Sequence, residues 1–319
     1  MSEQLRRRSL AVWMSDLTLS VRVVLTALRQ LRHYPLTARA FLYAVLHLVL
    51  TLQSEAFSSY VSVSRTQLEW FLANGWRYTE RRIQLLQQVS DFPLDRRGVA
   101  MIDDFYRRME QVRDGSFQRV VDLVYEDPVY PIYQHLGQAF RNQATGREPF
   151  IYSTLAGIEQ APRRVCDVGC GSGILLGDIL ERCPQATGYG VDISKRLLAH
   201  ARQVLQQRLL AARTNLINDD LRRLPFPSNT FDFMTATEVI EHLPDPLTGM
   251  VEVARVLAPH GYLVTSIPLH DHSPFHLHVF DSVDEVLALH RAARLVVGLH
   301  QVSEVAPGVC NVISQARRE

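Results

Sequence analysis

Three glycines at alternate positions close the run Val165-Cys166-Asp167-Val168-Gly169-Cys170-Gly171-Ser172-Gly173 and constrain this chain more than any other feature. The apolar residues before them read as a buried strand. The glycines read as a sharp turn, and Ile174 to Arg182 as a helix opening from it. Glycine lets a backbone approach a ligand closely, and the first turn of a helix offers N–H groups without intrahelical partners. Dinucleotide-binding folds use the same device with the spacing G-x-G-x-x-G. Here the third glycine arrives one position early, which argues against NAD.

The pattern on either side of this motif divides the chain. Residues 1–150 read as helical, with apolar positions at three- and four-residue spacing (Leu17, Val21, Val24, Leu25, Leu28) and a break at Pro35. The tyrosine- and proline-punctuated stretch 125–133 reads as a connector or pocket edge, its tyrosines more as packing than as substrate contacts. From about residue 151 to 319, strand and helix take turns. Strands are expected at 165–168, 188–191, 215–217, 231–236, 262–266, 295–302 and 309–315, and helices at 173–182, 194–212, 247–257 and 282–293. Such alternation predicts an α/β fold with a mostly parallel sheet covered on both faces. The last two strands, separated only by a turn near Pro307-Gly308, should pair as an antiparallel hairpin at the sheet edge.

The D-V-G-C-G-S-G string resembles the first motif of class I S-adenosylmethionine (SAM) dependent methyltransferases, and the resemblance covers residues 151–319. It implies a Rossmann-like, seven-stranded sheet and SAM as cofactor; residues 1–150 resemble no named domain and are expected to form an N-terminal helical cap over the acceptor site. It further implies that Asp167, Gly169, Cys170, Gly171 and Gly173 form the cofactor turn. Asp192, at the end of the second strand and 25 residues after Asp167, would accept both ribose hydroxyls. Ile193 follows it in the same cofactor set. In the stretch Asn218-Asp219-Asp220-Leu221, followed by L-P-F, Asp220 matches the adenine contact, while Leu221 covers the ring. Thr237, at the end of the fourth strand, would face the methionine part.

On the acceptor side stand Glu238-Val239-Ile240-Glu241-His242 and, after the fifth strand, four histidines within nine residues: His270, His272, His276 and His278. If the first string begins a helical turn, Glu238, Glu241 and His242 share a face. E-V-I-E-H resembles UbiG-like O-methyltransferases of quinone biosynthesis. It also resembles small-RNA terminal 2′-O-methyltransferases, which hold a metal through two glutamates and two histidines. The second resemblance implies a divalent ion on Glu238, Glu241, His242 and His278, with His276 the fallback. The residues leave three chemistries open: metal-assisted transfer to a hydroxyl, a histidine base (His242, His278 or His276) without metal, and positioning alone.

Composition narrows the partners. The net charge of +1, and 19 arginines against 15 acids in residues 1–150, give only a weak excess of the basic charge an RNA 2′-O-methyltransferase needs, which leaves that activity as an alternative to the small-molecule one. A non-catalytic scaffold would be marked by a decayed glycine loop, and this loop is intact. The expected partner is a small-molecule acceptor, natural-product or quinone-like, methylated on oxygen with nitrogen or carbon as alternatives. A homodimer is compatible with the sequence. Four cysteines without a C-x-x-C pair suit a reduced, cytoplasmic protein. The apolar segment 38–52, interrupted by Arg39 and His47, is too short to span a membrane. Arginine supplies almost all the positive charge; Lys195 is the sole lysine.

Overall fold

The computed structural model describes residues 101–319 apart from 102–103, 106, 113–115, 133, 135–145, 274, 307–308 and 319. The helices expected before residue 101, and the apolar segment 38–52, lie outside the described residues. No helix among the described residues is long and apolar enough to cross a membrane.

The sheet has seven strands: β1 Arg164–Val168, β2 Thr187–Asp192, β3 Thr214–Asn218, β4 Phe231–Thr237, β5 Leu257–Leu269, β6 Leu295–Ala306 and β7 Val309–Arg318. Their order is β3-β2-β1-β4-β5-β7-β6. The first five run parallel, and β7 enters antiparallel between β5 and β6. The expected Rossmann-like α/β sheet and its terminal hairpin are both present. Side chains alternate across it with period two. Val165 and Phe233 join one apolar layer, Cys166, Val168 and Met234 the other.

Before the sheet stand α1 (Phe117–Val120), which continues into a wide, π-helical turn at Val121–Tyr125, and α2 (Arg147–Ala156). Along the sheet follow α3 (Ile174–Arg182), α4 (Lys195–Gln207), α5 (Pro246–Val256) and α6 (Val283–Ala292). Their ends follow from local chemistry. Ser194, Asp245 and Ser282 each cap a helix by accepting from a backbone N–H, and Pro246 occupies the first turn of α5, where its missing N–H costs nothing. The helix expected over 194–212 stops at Gln207, because Leu209 turns left-handed at φ 59°. The Arg208 guanidinium there reaches Asp178 at 2.7 Å and Glu181 at 2.9 Å on α3.

Because β1 lies between β2 and β4, strand order reverses at its carboxyl end, which opens a crevice there. A third apolar cluster roofs it. Phe105, Met109, Val120, Val124 and Tyr125 pack with Leu197 of α4 and Phe275 of the loop after β5.

Candidate active site

The glycine turn is built to hold a neighbour, not an anion. Gly169, Gly171 and Gly173 have φ of 69°, 51° and 71°, a region that side chains rarely enter. A β-carbon on Gly169 would lie 2.5 Å from Val239, and one on Gly171 2.2 Å from the side-chain oxygen of Gln134. Four of the turn's N–H groups are engaged within the fold. Gly169 and Cys170 donate to the Val191 carbonyl at 2.8 and 3.0 Å, Gly173 to Cys170 at 2.9 Å, and Gly171 to the Asp192 carboxylate at 2.9 Å. Through the last of these the loop orients an acid.

That acid lies in the pocket wall. Asp192 Oδ1 accepts from the Ser194 N–H at 2.8 Å, while Oδ2 takes the Gly171 bond. Burial pushes its pKa up to about 6, against the two N–H groups that hold it down. Gly169, Ile193, Asp220 and Leu221 line the same pocket. Burial raises Asp220, but hydrogen bonds from Arg222 outweigh it and leave the group lowered. Asp167, Cys170, Gly171, Gly173 and Thr237 stand behind the wall rather than in it. The buried Asp167 carboxylate accepts from the Thr235 hydroxyl at 2.7 Å, and burial lifts it to about 7. The Cys170 thiol is likewise driven up by burial.

The acceptor side departs from the pattern read in the sequence. Glu238 adopts φ 52°, so no helical turn starts there; a tight turn covers only Ile240–His242. Glu238 is drawn away from Glu241 and His242 toward the sheet, where Ser266 donates at 2.7 Å, Asn311 donates a short bond and Arg147 stands at 3.7 Å. His278 also leaves the group, its Nε2 lying 3.1 Å from Glu285 on α6. The backbone decides this. Leu277 and His278 both offer their N–H to the Glu241 carbonyl at 3.0 Å. With the loop so fastened, His276 turns inward, to 4.0 Å between Nε2 and Glu241 Oε1, and His242 Nε2 stands 3.9 Å from the same oxygen. The expected quartet is therefore replaced by Glu241, His242 and His276.

Among the lining residues missed or undervalued in the sequence are Phe117, Tyr125, Tyr130 and Gln134. Tyr125 lies edge-on to His242 at 5.9 Å, and its hydroxyl is buried without a hydrogen-bond partner. Burial first, then the charge of neighbours that include Glu241 and Asp192, keeps it protonated. Its carbonyl accepts from the Ser194 hydroxyl at 2.6 Å. The one available signal was the aromatic stretch itself; nothing in the spacing singled out Gln134.

A cofactor of SAM's shape and charge fits these residues. The acids Asp192 and Asp220 line the pocket, where the hydroxyls and amino group of SAM offer hydrogen-bond donors. Residues 166–265 match the family described as "Methyltransferase domain". The chain is 33% identical to a ubiquinone biosynthesis O-methyltransferase of Alkalilimnicola ehrlichii, over 38% of this chain and 47% of the relative. It is 36% identical to a demethylmenaquinone methyltransferase of Thermus thermophilus, over 34% and 48%. The chain thus spans about half the length of these curated relatives. Among solved structures, a geranyl diphosphate C-methyltransferase of Streptomyces coelicolor superposes with a TM-score of 0.50 at 15% identity, covering 61% of this chain and 85% of that one. A putative sarcosine dimethylglycine methyltransferase of Galdieria sulphuraria gives 0.50 at 17%, covering 68% and 99%. At these identities the superpositions speak for the fold alone.

Proposed function

From the premise that residues 166–265 are a class I SAM-dependent methyltransferase domain, we propose that the chain as a whole methylates a hydroxyl of a small, partly aromatic acceptor. The observation that carries the reading is the single pocket shared by Asp192, Asp220 and Leu221 on one side and Tyr125, Tyr130 and His242 on the other. SAM supplies an electrophilic methyl on a sulfonium. Asp192 is the acceptor for the ribose hydroxyls, and Ile193 and Leu221 cover the adenine. The pocket's aromatic wall, Phe117, Tyr125 and Tyr130, suits a flat apolar acceptor of the quinone-like kind on which the named relatives act.

Transfer then needs the acceptor oxygen in line with the sulfonium and water kept out. The segment 117–134 performs the exclusion: Tyr130 and Gln134 close over the glycine turn. We therefore assign residues 1–150, of which this segment is part, to the acceptor cap. The hydroxyl loses a proton as it becomes an ether, and the imidazole group around His242 is the part of the chain placed to accept it. The Glu238–Glu241–His242–His278 quartet does not fit a metal, since two of its members are held elsewhere. Four free cysteines, three of them buried, suit a cytoplasmic setting.

Calorimetry tests the premise: SAM and its demethylated product are expected to bind at micromolar strength, with NAD silent. Labelled methyl transfer is then followed on a panel of quinols, catechols and non-aromatic alcohols. Absence of SAM binding would defeat the reading, and transfer confined to non-aromatic amines would overturn the acceptor class.

A further inference from the structure

Tyr125 closes the wide turn Val121–Tyr125 and lines the pocket. Turns of this π type are uncommon and concentrate at functional sites. The residue is held from several sides. Its carbonyl accepts from the Ser194 hydroxyl at 2.6 Å. Its ring lies 5.3 Å from that of Tyr130 and edge-on to His242 at 5.9 Å. Tyr125 is only 6% exposed, yet its hydroxyl has no hydrogen-bond partner among the described residues. A buried hydroxyl left in this way costs stability, and a bound ligand that completes the bond explains why it is kept. Two carboxylates act on it: Asp192 from the cofactor half of the pocket and Glu241 from behind His242. The hydroxyl therefore stands at the junction of the two halves. His242 donates through Nδ1 to the Phe275 carbonyl at 3.1 Å, since a carbonyl oxygen only accepts, and Nε2 is its basic nitrogen.

We propose that the Tyr125 hydroxyl donates to the acceptor oxygen and thereby makes this pocket select oxygen over nitrogen as the methylated atom; the proposal rests on the methyl-transfer reading. A hydroxyl oxygen carries two lone pairs and one hydrogen. One pair attacks the methyl carbon in line, so that the O–C bond forms as the C–S bond breaks and the bonding electrons stay on sulfur. The hydrogen leaves as a proton to His242 Nε2. The second pair remains to accept from Tyr125, and every direction about the oxygen is then fixed. An uncharged amine nitrogen has a single pair, and the attack consumes it. Its N–H can reach the Tyr125 oxygen, but the phenol hydrogen then stays buried and unpaired. Sites that leave a buried polar group unpaired reject the offending analogue strongly.

The full chain and its Tyr125→Phe variant are compared in three ways. Denaturant unfolding without ligand reads whether the hydroxyl has a partner inside the chain. The midpoint is expected to be unchanged or higher in the variant, and a lower one overturns the proposal. SAM affinity, by calorimetry, is expected to agree within about threefold, because the hydroxyl serves the acceptor. Labelled methyl transfer is then followed on pairs that differ only in the nucleophile: p-cresol against p-toluidine, and catechol against o-phenylenediamine. The parent should favour the hydroxyl members. The variant should lose roughly 10- to 100-fold in kcat/KM on these and stay within about threefold on the amines, so that the selectivity collapses. Equal losses on both members overturn the proposal and leave Tyr125 as packing. A SAM affinity that falls as far as transfer does assigns the hydroxyl to the cofactor and overturns it as well. Both results leave the methyltransferase reading intact, whereas a parent chain that binds no SAM defeats that reading and the proposal with it.

Discussion

Asp192 shows how one side chain couples folding to ligand binding. Burial lifts its carboxyl to about 6, above the ~3.9 of an unfolded aspartate. Between these values the native chain holds a proton that the unfolded chain has released, so this group's contribution to stability falls as pH rises through that window. Cofactor binding runs the other way, since two ribose hydroxyls need an ionised acceptor. SAM affinity should therefore be flat above about pH 7 and decline below about 6, while Asp192→Asn loses at least tenfold in affinity and flattens the profile, given about 1.5 kcal/mol or more for each bond to a charged acceptor. Calorimetry across pH checks it; an unchanged profile in the variant would assign the titration to another group. An acid at the end of the second strand was legible in the sequence. That its orientation comes from the N–H groups of Gly171 and Ser194 was not, because those contacts depend on how the turn folds back onto β2.

Among the elements, strands were legible wherever an apolar run lay inside the sheet, as in β1 and β4. The acceptor loop was not. The sequence offers His276 and His278 as near equals. Two bonds to the Glu241 carbonyl, 36 and 37 positions away, choose between them. Glu238 likewise left its expected helical turn because Ser266 and Asn311, on two other strands, compete for its carboxylate. Long-range hydrogen bonds outweigh local periodicity at both places. Ser194 is the element-scale counterpart. Its hydroxyl accepts from the Leu197 N–H at 3.1 Å as the cap of α4 and donates to the Tyr125 carbonyl at 2.6 Å. Ser194→Ala should cost about 1–2 kcal/mol in thermal unfolding and speed proteolysis within 117–134. A variant as stable and as resistant as the parent would show that the apolar cluster alone fastens the segment.

For the molecule as a whole, the carboxyl ends of β4 and β5 and the amino end of β7 are tied by one polar knot of Glu238, Ser266 and Asn311, with Arg147 from α2 beside it. The knot links the parallel part of the sheet to its antiparallel hairpin directly behind the acceptor pocket. Asn311 is 2% exposed, so its removal leaves a carboxylate and a hydroxyl short of a buried donor. Asn311→Ala is expected to lower stability by about 2–4 kcal/mol, and to weaken acceptor binding more than SAM binding, because the knot holds Glu238 in the pocket lining beside Val239 and makes no bond to Asp192. Denaturant unfolding and paired titrations measure both effects; equal losses for the two ligands would place the knot's role in the sheet alone.

Lys195 opens α4 beside the turn that follows Tyr125. Its backbone N–H reaches the Glu126 carboxylate at 2.8 Å, while its side chain is exposed. No other lysine occurs in the chain. Amine-directed chemistry, which scatters over the surface of most proteins, is thereby confined to this seam and the α-amino group. The molecule comes with a natural attachment point for a dye or spin label where α4 meets the segment that carries Tyr125 and Glu126.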